Sequence, residues 1–346
     1  AEDWLSFQVS TTAGMDKLPI SERLKWTKDN ESLITAVATD PIGNLSTWEG
    51  MSEPWQFLSA CHEYYHTCIL CDRNYTNLPV AIDATASGLQ VLAGLCRCKS
   101  TAELVNVVPS DKPQDAYKVI ADACIDSIPE HIKPVWDRKK TKRTVMTIPY
   151  NAKPFSNRSY IKQALKEDGI EVEKEELTQI VNAVRAAMND HFKGPMQVMK
   201  WIEAEVSKAI DRGLKELQWV TPSGFVVTQK LMKKNVERIR LQLLGECNIF
   251  LATGDKDKVD KAHHKSATSP NLIHSLDSSI LVLSALRFTA PIALIHDSVL
   301  CRATDMSSLR SIVRETYKHL FADQDYLSNW ANQIGAETKP PIIGDL

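Results

Sequence analysis

One basic stretch of the sequence combines residue types that could bind a nucleoside triphosphate. It covers residues 137–151 and reads DRKKTKRTVMTIPYN. Residues four apart share one face of a helix, and this spacing relates Arg138, Lys142, Met146 and Tyr150. A guanidinium and an ammonium at the start of that face suit phosphates, and the later residues suit the sugar and base. The alternative is a solvated basic helix end, which is the commoner meaning of a basic run taken alone.

Two aspartates are each placed next to a short apolar run. Asp83 ends the run LPVAID, and Asp297 lies between two apolar runs in PIALIHDSVL, residues 291–300. These runs predict buried strands, the last two joined by a tight turn that carries Asp297. A carboxylate at the end of a strand is suited to a divalent metal, although an aspartate there can equally close a turn or cap a helix.

Two further patterns could hold a metal ion. Among the eight cysteines are C-x-x-C at residues 68–71 and C-x-C at residues 96–98, but the second spacing is wrong for zinc. Residues 62–66, HEYYH, fit the H-E-x-x-H pattern of zinc proteases, which also needs a third ligand. We favour an aromatic core helix for residues 54–66 and reduced thiols for the cysteines.

Composition limits the possible classes of protein. With 346 residues the chain is longer than one core usually serves, so at least two subdomains are expected. The net charge is −2, so any binding to nucleic acid must depend on local patches. No apolar run is long enough to span a membrane, and no signal peptide is visible. The first residue is Ala, so we expect the sequence to begin inside a larger protein.

Hydrophobic periodicity predicts the elements that position these residues. Beyond the strands above, the pattern predicts helices at residues 3–10, 21–37, 114–128, 171–192, 196–210, 270–288 and 307–321. Residues 219–228 predict a hairpin with Pro-Ser-Gly at its turn. Residues 236–244 alternate, which predicts a half-exposed strand with Arg238 and Arg240 projecting from one face.

Three segments together resemble motifs A, B and C of the single-subunit RNA polymerases of bacteriophages and mitochondria. They are AIDATASGLQ, RKKTKRTVMTIPY and ALIHDS, and they occur in that order. WVTPSGF, SPNLIHSLDSS and KLPISERLKW are also similar to stretches of phage polymerases. Each motif alone is weak, but three in order with plausible spacing are specific, and the resemblance covers nearly the whole chain.

The resemblance implies catalytic roles for individual residues. Asp83 and Asp297 match the carboxylates that bind two Mg²⁺ ions in the family. Arg138 and Lys142 match triphosphate contacts, and Lys142 also matches the proton donor to pyrophosphate. Tyr150 matches the tyrosine that separates ribose from deoxyribose.

The resemblance also implies residues that bind the nucleotide or the promoter. With Met146 on the helical face, the further nucleotide-binding residues are Arg143, Tyr117 and His274. His274 matches a histidine on the minor-groove side of the new base pair. Arg238 and Arg240 lie on what would be the specificity hairpin, which reads promoter bases.

The fold implied is α+β. It is a right-hand palm with an antiparallel sheet, built from residues 1–111 and 275–346, with mainly helical fingers, residues 112–274, inserted. The function implied is DNA-directed RNA polymerase, a nucleotidyltransferase that adds ribonucleotides to an RNA 3′ end on a DNA template. The implied partners are double-stranded DNA with its promoter, nascent RNA and ribonucleoside triphosphates. A phage-encoded monomer in the host-cell cytoplasm, without membrane association, is expected.

The sequence departs from the family pattern in two respects. Family members commonly have Gly after the motif B tyrosine, where this chain has Asn151. They also carry an N-terminal domain and a thumb that find no counterpart here, so we expect the palm and fingers of a larger enzyme. Two alternatives remain open. One is a metal-dependent phosphohydrolase that uses His296 and Asp297, and the other is a nucleic-acid-binding remnant without turnover.

Overall fold

The computed structural model describes residues 1–110, 112–241, 247–341 and 344. Within these ranges the chain mixes helices with small antiparallel sheets, so the α+β class is confirmed at this level. The α-helices are α1 (Glu2–Ser10), α2 (Ile20–Asp29), α3 (Glu31–Thr39), α4 (Leu45–Trp48), α5 (Pro54–Tyr64), α6 (Ser87–Cys96), α7 (Lys99–Leu104), α8 (Ala116–Cys124), α9 (Arg138–Thr147), α10 (Pro154–Glu167), α11 (Lys174–His191), α12 (Lys193–Asp211), α13 (Lys261–Arg287), α14 (Met306–Phe321) and α15 (Tyr326–Gln333).

The strands form three separate sheets in the described residues. They are β1 (Pro79–Asp83), β2 (Leu217–Val220), β3 (Val226–Gln229), β4 (Met232–Leu241), β5 (Cys247–Val259), β6 (Ile292–Ile295) and β7 (Ser298–Arg302). The sheet orders are β1-β7-β6, β2-β3 and β4-β5, and every pairing is antiparallel. Across the described ranges, no helix has the length and apolar character needed to cross a lipid bilayer.

The chain divides into two compact units, each made of segments that are distant in sequence. Unit 1 consists of Ala1–Ser87, Val108–Gln114 and Ile280–His319. Unit 2 consists of Gly88–Val107, Asp115–Ser279 and Leu320–Leu346.

Unit 1 has a core that joins its helices to its sheet. Ile34 of α3 and Phe57 of α5 are fully buried in the same cluster as Val80 of β1 and Val299 of β7. Fully burying a side chain of this size contributes about 1.5–3 kcal/mol to stability. The sheet is therefore fixed against the helices on one face, and the ends of its strands are held in place.

The predicted helix at residues 21–37 is wrong as a single element. It is broken into α2 and α3 at Asn30, whose φ of −110° and ψ of 18° are not helical. The Asn30 side-chain amide donates to the carbonyl of Trp26 at 2.7 Å. Asparagine competes with helical backbone bonding in this way, and the apolar periodicity on both sides of the break concealed it.

Unit 2 is mainly helical, and α9 packs against both α8 and α10. The buried side chains of these helices include Ile120, Val145 and Ile161. Helix α11 begins three residues later than predicted. A capping box formed by Glu173 and Glu176 fixes its start, because each side chain accepts from the other residue's backbone N–H.

Two hairpins of unit 2 were predicted with different success. The β2–β3 hairpin has the predicted turn, closed by a bond from the Thr221 N–H to the Phe225 carbonyl at 2.8 Å. Strand β4 pairs with β5, and both of its faces are exposed, so the half-exposed strand was wrong in its burial. Within the part of the chain that the structure describes, the β4–β5 ribbon has no core covering its apolar face. Residues 242–244 of the predicted strand lie outside the described residues.

Helix α13 begins at Lys261, well before the predicted start at Pro270. Proline is favoured in the first turn of a helix, which is why Pro270 indicated a beginning. It lies inside the helix instead, and the true start is capped by Asp260, which accepts from the His263 N–H at 3.0 Å. Because proline has no N–H, the carbonyl of Ser266, four residues earlier, receives no hydrogen bond from residue 270.

Candidate active site

Asp83 and Asp297 come together in the three-stranded sheet of unit 1. Asp83 is the last residue of β1 and pairs with Ser298, the first residue of β7. Asp297 immediately precedes Ser298, in a two-residue turn between β6 and β7. The other turn residue, His296, has a positive φ of 55°, and the tight reversal leaves both carboxylates at one edge of the sheet. The predicted strands and turn are confirmed.

The electrostatics of this pair suit a cation. Loss of surrounding water raises the pKa of the Asp83 carboxyl, and the nearby Asp297 carboxylate raises that pKa further. The His296 Nδ1 lies 3.0 Å from a carboxylate oxygen of Asp297. Two carboxylates that repel each other at a solvent-accessible edge supply the hard oxygen ligands that Mg²⁺ prefers. The two side chains therefore fit the predicted metal site.

In unit 2, helix α9 presents the predicted binding face to solvent. Lys142 and Met146 are exposed and Arg138 is partly exposed, whereas Thr144 on the opposite side of the helix is buried. The helix starts at Asp137, whose carboxylate accepts from the Lys139 N–H at 2.9 Å. Among the described residues, no carboxylate lies within 4.0 Å of the Lys142 ammonium, which is open to an anionic ligand.

Lys140 differs from the other basic residues of α9. Its side chain is only 3% exposed and forms an ion pair with Asp168, the residue that follows α10. Its ammonium also lies 3.4 Å from Asp137. A lone buried ammonium would be costly, so these carboxylates permit its burial. Lys140 fastens the start of α9 to the end of α10.

Asp115 is a residue that sequence reasoning missed. It is the N-cap of α8, where one carboxylate oxygen accepts from the Tyr117 N–H at 3.0 Å. The other oxygen accepts from Nε of Arg138. The guanidinium carbon of Arg138 lies 5.2 Å from the centre of the Tyr117 ring. Asp115 thus holds one edge of the guanidinium and leaves the two terminal nitrogens for another partner.

Arg143 does not share the face of Arg138 and Lys142. Its guanidinium stacks over the ring of Tyr160 at 4.3 Å and donates to Gln163 at 3.0 Å. Both partners belong to α10. In this conformation Arg143 joins two helices, and the predicted triphosphate role requires it to leave these contacts.

Tyr150 is packed against two other segments of unit 2. Its ring stacks on the imidazole of His274, with centroids 4.6 Å apart and planes 14° apart. On another side, a Cβ added to Gly88 would lie 2.9 Å from both Cζ and the hydroxyl oxygen of Tyr150. Any side chain at residue 88 would therefore displace the phenol. Residues of motif A, motif B and α13 therefore meet here.

The turn that carries Tyr150 is a Schellman motif. The N–H of Ala152 bonds the carbonyl of Thr147 at 3.1 Å, and the N–H of Asn151 bonds that of Ile148 at 2.8 Å. Asn151 has the left-handed φ of 64° that this motif requires. Glycine takes this conformation most easily and asparagine is among the next best, so Asn151 suits this position of the turn. Tyr150 lies beyond the last regular turn of α9, not on it as predicted.

A cavity of about 510 Å³ in unit 2 is rich in lysine. Its charged lining residues are Lys153, Lys233, Lys258, Lys261, Lys265, Glu203 and Asp260. Lys261 pairs with Asp211 at 2.7 Å. Within the described ranges Lys233, Lys258 and Lys265 have no carboxylate within 4.0 Å. Several unneutralised ammonium groups around one cavity repel each other, and an anionic ligand would relieve that repulsion.

The β4–β5 ribbon presents its two arginines on one face. Arg238 pairs with Phe250, and Arg240 with Asn248, so these four side chains share a side. Arg238 also donates from Nε to the Asn248 side chain at 2.8 Å. The expected alternation is confirmed, with both arginines on one face of the ribbon.

Comparison with known proteins identifies the family. The family model for DNA-dependent RNA polymerase matches residues 1–343. The chain belongs to the DNA-dependent RNA polymerase family. It is 28% identical to the DNA-directed RNA polymerase of Enterobacteria phage K11, over 96% of this chain and 43% of that protein. It is 26% identical to the T7 RNA polymerase of Escherichia phage T7, over 96% and 44% respectively.

Organellar members of the polymerase family are similar at the same level. DNA-directed RNA polymerase 3, chloroplastic, of Nicotiana sylvestris is 29% identical over 98% of this chain and 37% of its own length. The chain thus spans less than half the length of these relatives. The resemblance to phage-type and organellar polymerases that the three motifs indicated is confirmed.

The structure also bears on the cysteine pairs and the HEYYH segment, the other two patterns that could hold a metal ion. Among the described residues, no three His, Cys, Asp or Glu side chains are grouped so that they could hold a metal ion. In the HEYYH segment the rings of His62 and His66 stack 6.4 Å apart, and His66 pairs with Asp72 at 2.9 Å. Within the described residues, neither the zinc protease pattern nor the cysteine pattern is part of a group of three such ligands.

Proposed function

We propose that this chain carries the palm and fingers of a DNA-directed RNA polymerase. It would add ribonucleotides to an RNA 3′ end on a DNA template by two-metal nucleotidyl transfer. The observation that carries the proposal is the pairing of β1 with β7, which joins Asp83 and Asp297 from distant parts of the sequence at one sheet edge. Two carboxylates brought together in this way are what a phosphoryl-transfer metal site requires.

Asp83 and Asp297 would hold the metal ions. Bound divalent cations would activate the RNA 3′-oxygen and stabilise the leaving pyrophosphate. Loss of water and repulsion by Asp297 raise the pKa of Asp83, and a cation bound by the two carboxylates would offset that repulsion. We assign the sheet and its flanking segments, residues 1–111 and 275–346, to the palm.

Helix α9 would bind the triphosphate, and residues 112–274 would form the fingers. Arg138 offers its two terminal nitrogens to phosphate oxygens while Asp115 holds Nε. Lys142 is exposed and free of carboxylates among the described residues, and we assign it as proton donor to pyrophosphate. Met146 would contact the nucleoside. Arg143 would contribute only after release from Tyr160.

Tyr150 and His274 would test the sugar and the new base pair. Their stack places a phenol hydroxyl and an imidazole side by side, and each can form directed hydrogen bonds with a nucleotide. Tyr117 lies beneath the Arg138 guanidinium and supports the same face of α9. We assign Tyr150 to ribose selection and His274 to the minor-groove side.

Double-stranded DNA with its promoter would bind through other parts of unit 2. Arg238 and Arg240, on one face of the β4–β5 ribbon, would read promoter bases, since arginine reaches guanine with two bonds. The lysine-rich cavity would bind phosphates without regard to sequence. The chain would act as a monomer on DNA, nascent RNA and ribonucleoside triphosphates.

Extension of an RNA primer annealed to a DNA template tests the proposal. The purified protein, with Mg²⁺ and ribonucleoside triphosphates, should lengthen the primer, and Asp83→Asn should abolish extension. Asp190→Asn, an exposed aspartate of α11, is the matched control and should extend normally. Phosphate release without extension would favour a phosphohydrolase. Binding of the primed template without turnover would favour a non-catalytic remnant.

A further inference from the structure

The side chain of Asn151 connects three helical segments of unit 2. Its Nδ2 donates to the carboxylate of Glu203 on α12 at 2.8 Å and to the carbonyl of Ser266 on α13 at 3.0 Å. Its Oδ1 accepts from the Lys153 ammonium at 2.5 Å. Both amide hydrogens are therefore used, and the turn after α9 is tied to α12 and α13.

The carbonyl that accepts from Asn151 is left without a helical donor by Pro270. In a regular helix, the N–H of residue 270 would bond the carbonyl of residue 266. Proline has no N–H, so it leaves that carbonyl open. Asn151 supplies the missing donor from outside the helix. A glycine at residue 151 would keep the left-handed backbone but could not make this bond.

The same helix carries the stacking partner of Tyr150. His274 lies four residues after Pro270 on α13, and Tyr150 immediately precedes Asn151. The Tyr150–His274 stack and the bond from Asn151 to Ser266 therefore join the same turn to the same helix at two points. Loss of the Asn151 bond would therefore remove one of the two points that join the turn carrying Tyr150 to α13.

We propose that Asn151 is a positioning residue that fixes Tyr150 against His274 and thereby sharpens selection of ribose over deoxyribose. The inference rests on the proposed polymerase function, because Tyr150 selects a sugar only in that reaction. Asn151 acts through the backbone of its neighbour and touches no substrate. A hydroxyl held in one place discriminates better than one that samples several positions.

The test uses Asn151→Gly, Pro270→Ala and the double variant. Asn151→Gly removes the side-chain bonds and keeps the positive φ. Pro270→Ala restores an N–H that can bond the Ser266 carbonyl from within α13. Primed-template extension gives the ratio of kcat/KM for a ribonucleotide to that for its deoxynucleotide. Amide hydrogen exchange of residues 148–152 reports on the turn without any catalysis.

We expect Asn151→Gly to lower the ribose preference roughly 2–10-fold, the effect of one net hydrogen bond, and to speed amide exchange in the turn. Adding Pro270→Ala should restore the thermal stability lost in Asn151→Gly, because the Ser266 carbonyl again has a donor. It should not restore the ribose preference, because the turn that carries Tyr150 is still not bonded to Ser266. The matched control is Asn106→Gly, another asparagine with a positive φ, 61°, which should leave the preference unchanged.

Three outcomes would overturn the inference. One is an unchanged ribose preference in Asn151→Gly when Tyr150→Phe does change it. Another is recovery of both stability and preference in the double variant, since Asn151 would then only satisfy a helix carbonyl. The third is unchanged amide exchange in Asn151→Gly, whether or not the protein extends a primer. Absence of extension by the wild-type protein would instead count against the proposed function.

Discussion

The ring of Tyr150 stacks on the imidazole of His274, with centroids 4.6 Å apart. Tyr150→Phe keeps this stack and removes only the hydroxyl. We predict that the variant extends a primer at a near-normal rate and that its preference for ribonucleotides falls roughly 2–10-fold, because one directed hydrogen bond is removed. Competition between GTP and dGTP in primed-template extension measures the change.

Tyr160→Phe is the matched control for this change. Tyr160 belongs to α10 and lies beneath the guanidinium of Arg143, so we do not expect its hydroxyl to contact the sugar of the nucleotide. The control should keep the ribose preference of the wild-type protein. If Tyr150→Phe also keeps it, the assignment of Tyr150 to the sugar is wrong.

The elements that position Asp83 and Asp297 show what the sequence could predict. The three strands were predicted from short apolar runs, and the turn between β6 and β7 was predicted from the polar residues between two of those runs. The pairing of Asp83 with Ser298 could not follow from periodicity, because it joins distant parts of the chain. Only the resemblance to polymerases implied that the two carboxylates act together.

Most of the wrong or missed predictions concern residues that have two structural roles. Pro270 indicated the start of a helix because the first turn tolerates proline, yet α13 continues through it with help from Asn151. Asp115, which the sequence analysis missed, caps α8 with one carboxylate oxygen and holds Arg138 with the other. No local pattern reveals a second partner that comes from another helix. The exposure of both β4 faces was hidden because alternation indicates a strand but not what covers it.

The carboxylate pair should cost stability when no metal is bound. The pKa of Asp83 is raised by desolvation and by Asp297, so the charged form of Asp83 is disfavoured in the folded state. We predict that Asp297→Asn raises the Tm of the metal-free protein at pH 7 while extension is abolished. Mg²⁺ should raise the Tm of the wild-type protein more than that of the variant. Thermal melts with and without Mg²⁺ measure both effects.

The exposed Asp190 provides the control, because Asp190→Asn makes the same chemical change outside the sheet. The Tm of the Asp190→Asn variant should respond to Mg²⁺ like that of the wild-type protein. An equal Mg²⁺ response in Asp297→Asn would contradict the metal assignment. A lower metal-free Tm would contradict the repulsion between the two carboxylates.

Glu205 should make the stability of the protein depend on pH. Its side chain is 1% exposed, and it accepts from Lys208 at 2.7 Å and from the hydroxyl of Thr338 at 2.6 Å. Desolvation works to raise its pKa, but these bonds dominate and lower the pKa to about 2. The folded pKa lies below the ordinary value, so the stabilisation is complete above about pH 4.5. It should disappear as the pH falls towards 2.

We predict that Glu205→Gln lowers the free energy of unfolding by about 1–3 kcal/mol at pH 7, since it weakens buried bonds. The difference from the wild-type protein should shrink between pH 5 and pH 3. Urea unfolding at several pH values measures it. Glu171→Gln, which changes an exposed glutamate, should show no such trend. A constant difference at all pH values would mean that the Glu205 charge is not what stabilises the fold.

Asp115 should affect nucleotide binding through Arg138. Asp115→Asn keeps a good N-cap for α8, because asparagine caps as well as aspartate, and removes the negative charge that holds Nε of Arg138. We predict that the KM for ribonucleoside triphosphates rises roughly tenfold, with a smaller change in kcat, as expected when one charged hydrogen bond no longer orients the guanidinium. Steady-state extension kinetics separate the two constants.

A double-mutant cycle with Arg138→Ala tests whether Asp115 acts through that arginine. The two effects should not add, because the second change finds the interaction already gone. Asp325→Asn, which changes the N-cap of α15, is the control and should leave the KM unaltered. A fall in KM in Asp115→Asn would mean that Asp115 competes with the triphosphate for Arg138.

The lysine-rich cavity and the β4–β5 ribbon should make different contributions to DNA binding. Lys233 and Lys258 line the cavity without a carboxylate partner among the described residues. We predict that Lys233→Gln with Lys258→Gln weakens binding to all sequences equally. For single strands, the slope of log K against log salt should flatten by about 0.7 for each phosphate that a lysine no longer neutralises. Arg238→Gln should instead alter the preference among duplex sequences, by roughly 1–3 kcal/mol for a guanine contact.

Fluorescence anisotropy with a labelled oligothymidylate, and with duplexes that differ at single base pairs, measures both effects across a range of salt. The matched control is Lys162→Gln with Lys166→Gln, which removes the same charge from the exposed side of α10. If the control flattens the salt slope as much as the cavity variant, the effect comes from net charge and the cavity holds no phosphate. If Arg238→Gln weakens every sequence equally, the ribbon contributes charge and reads no bases.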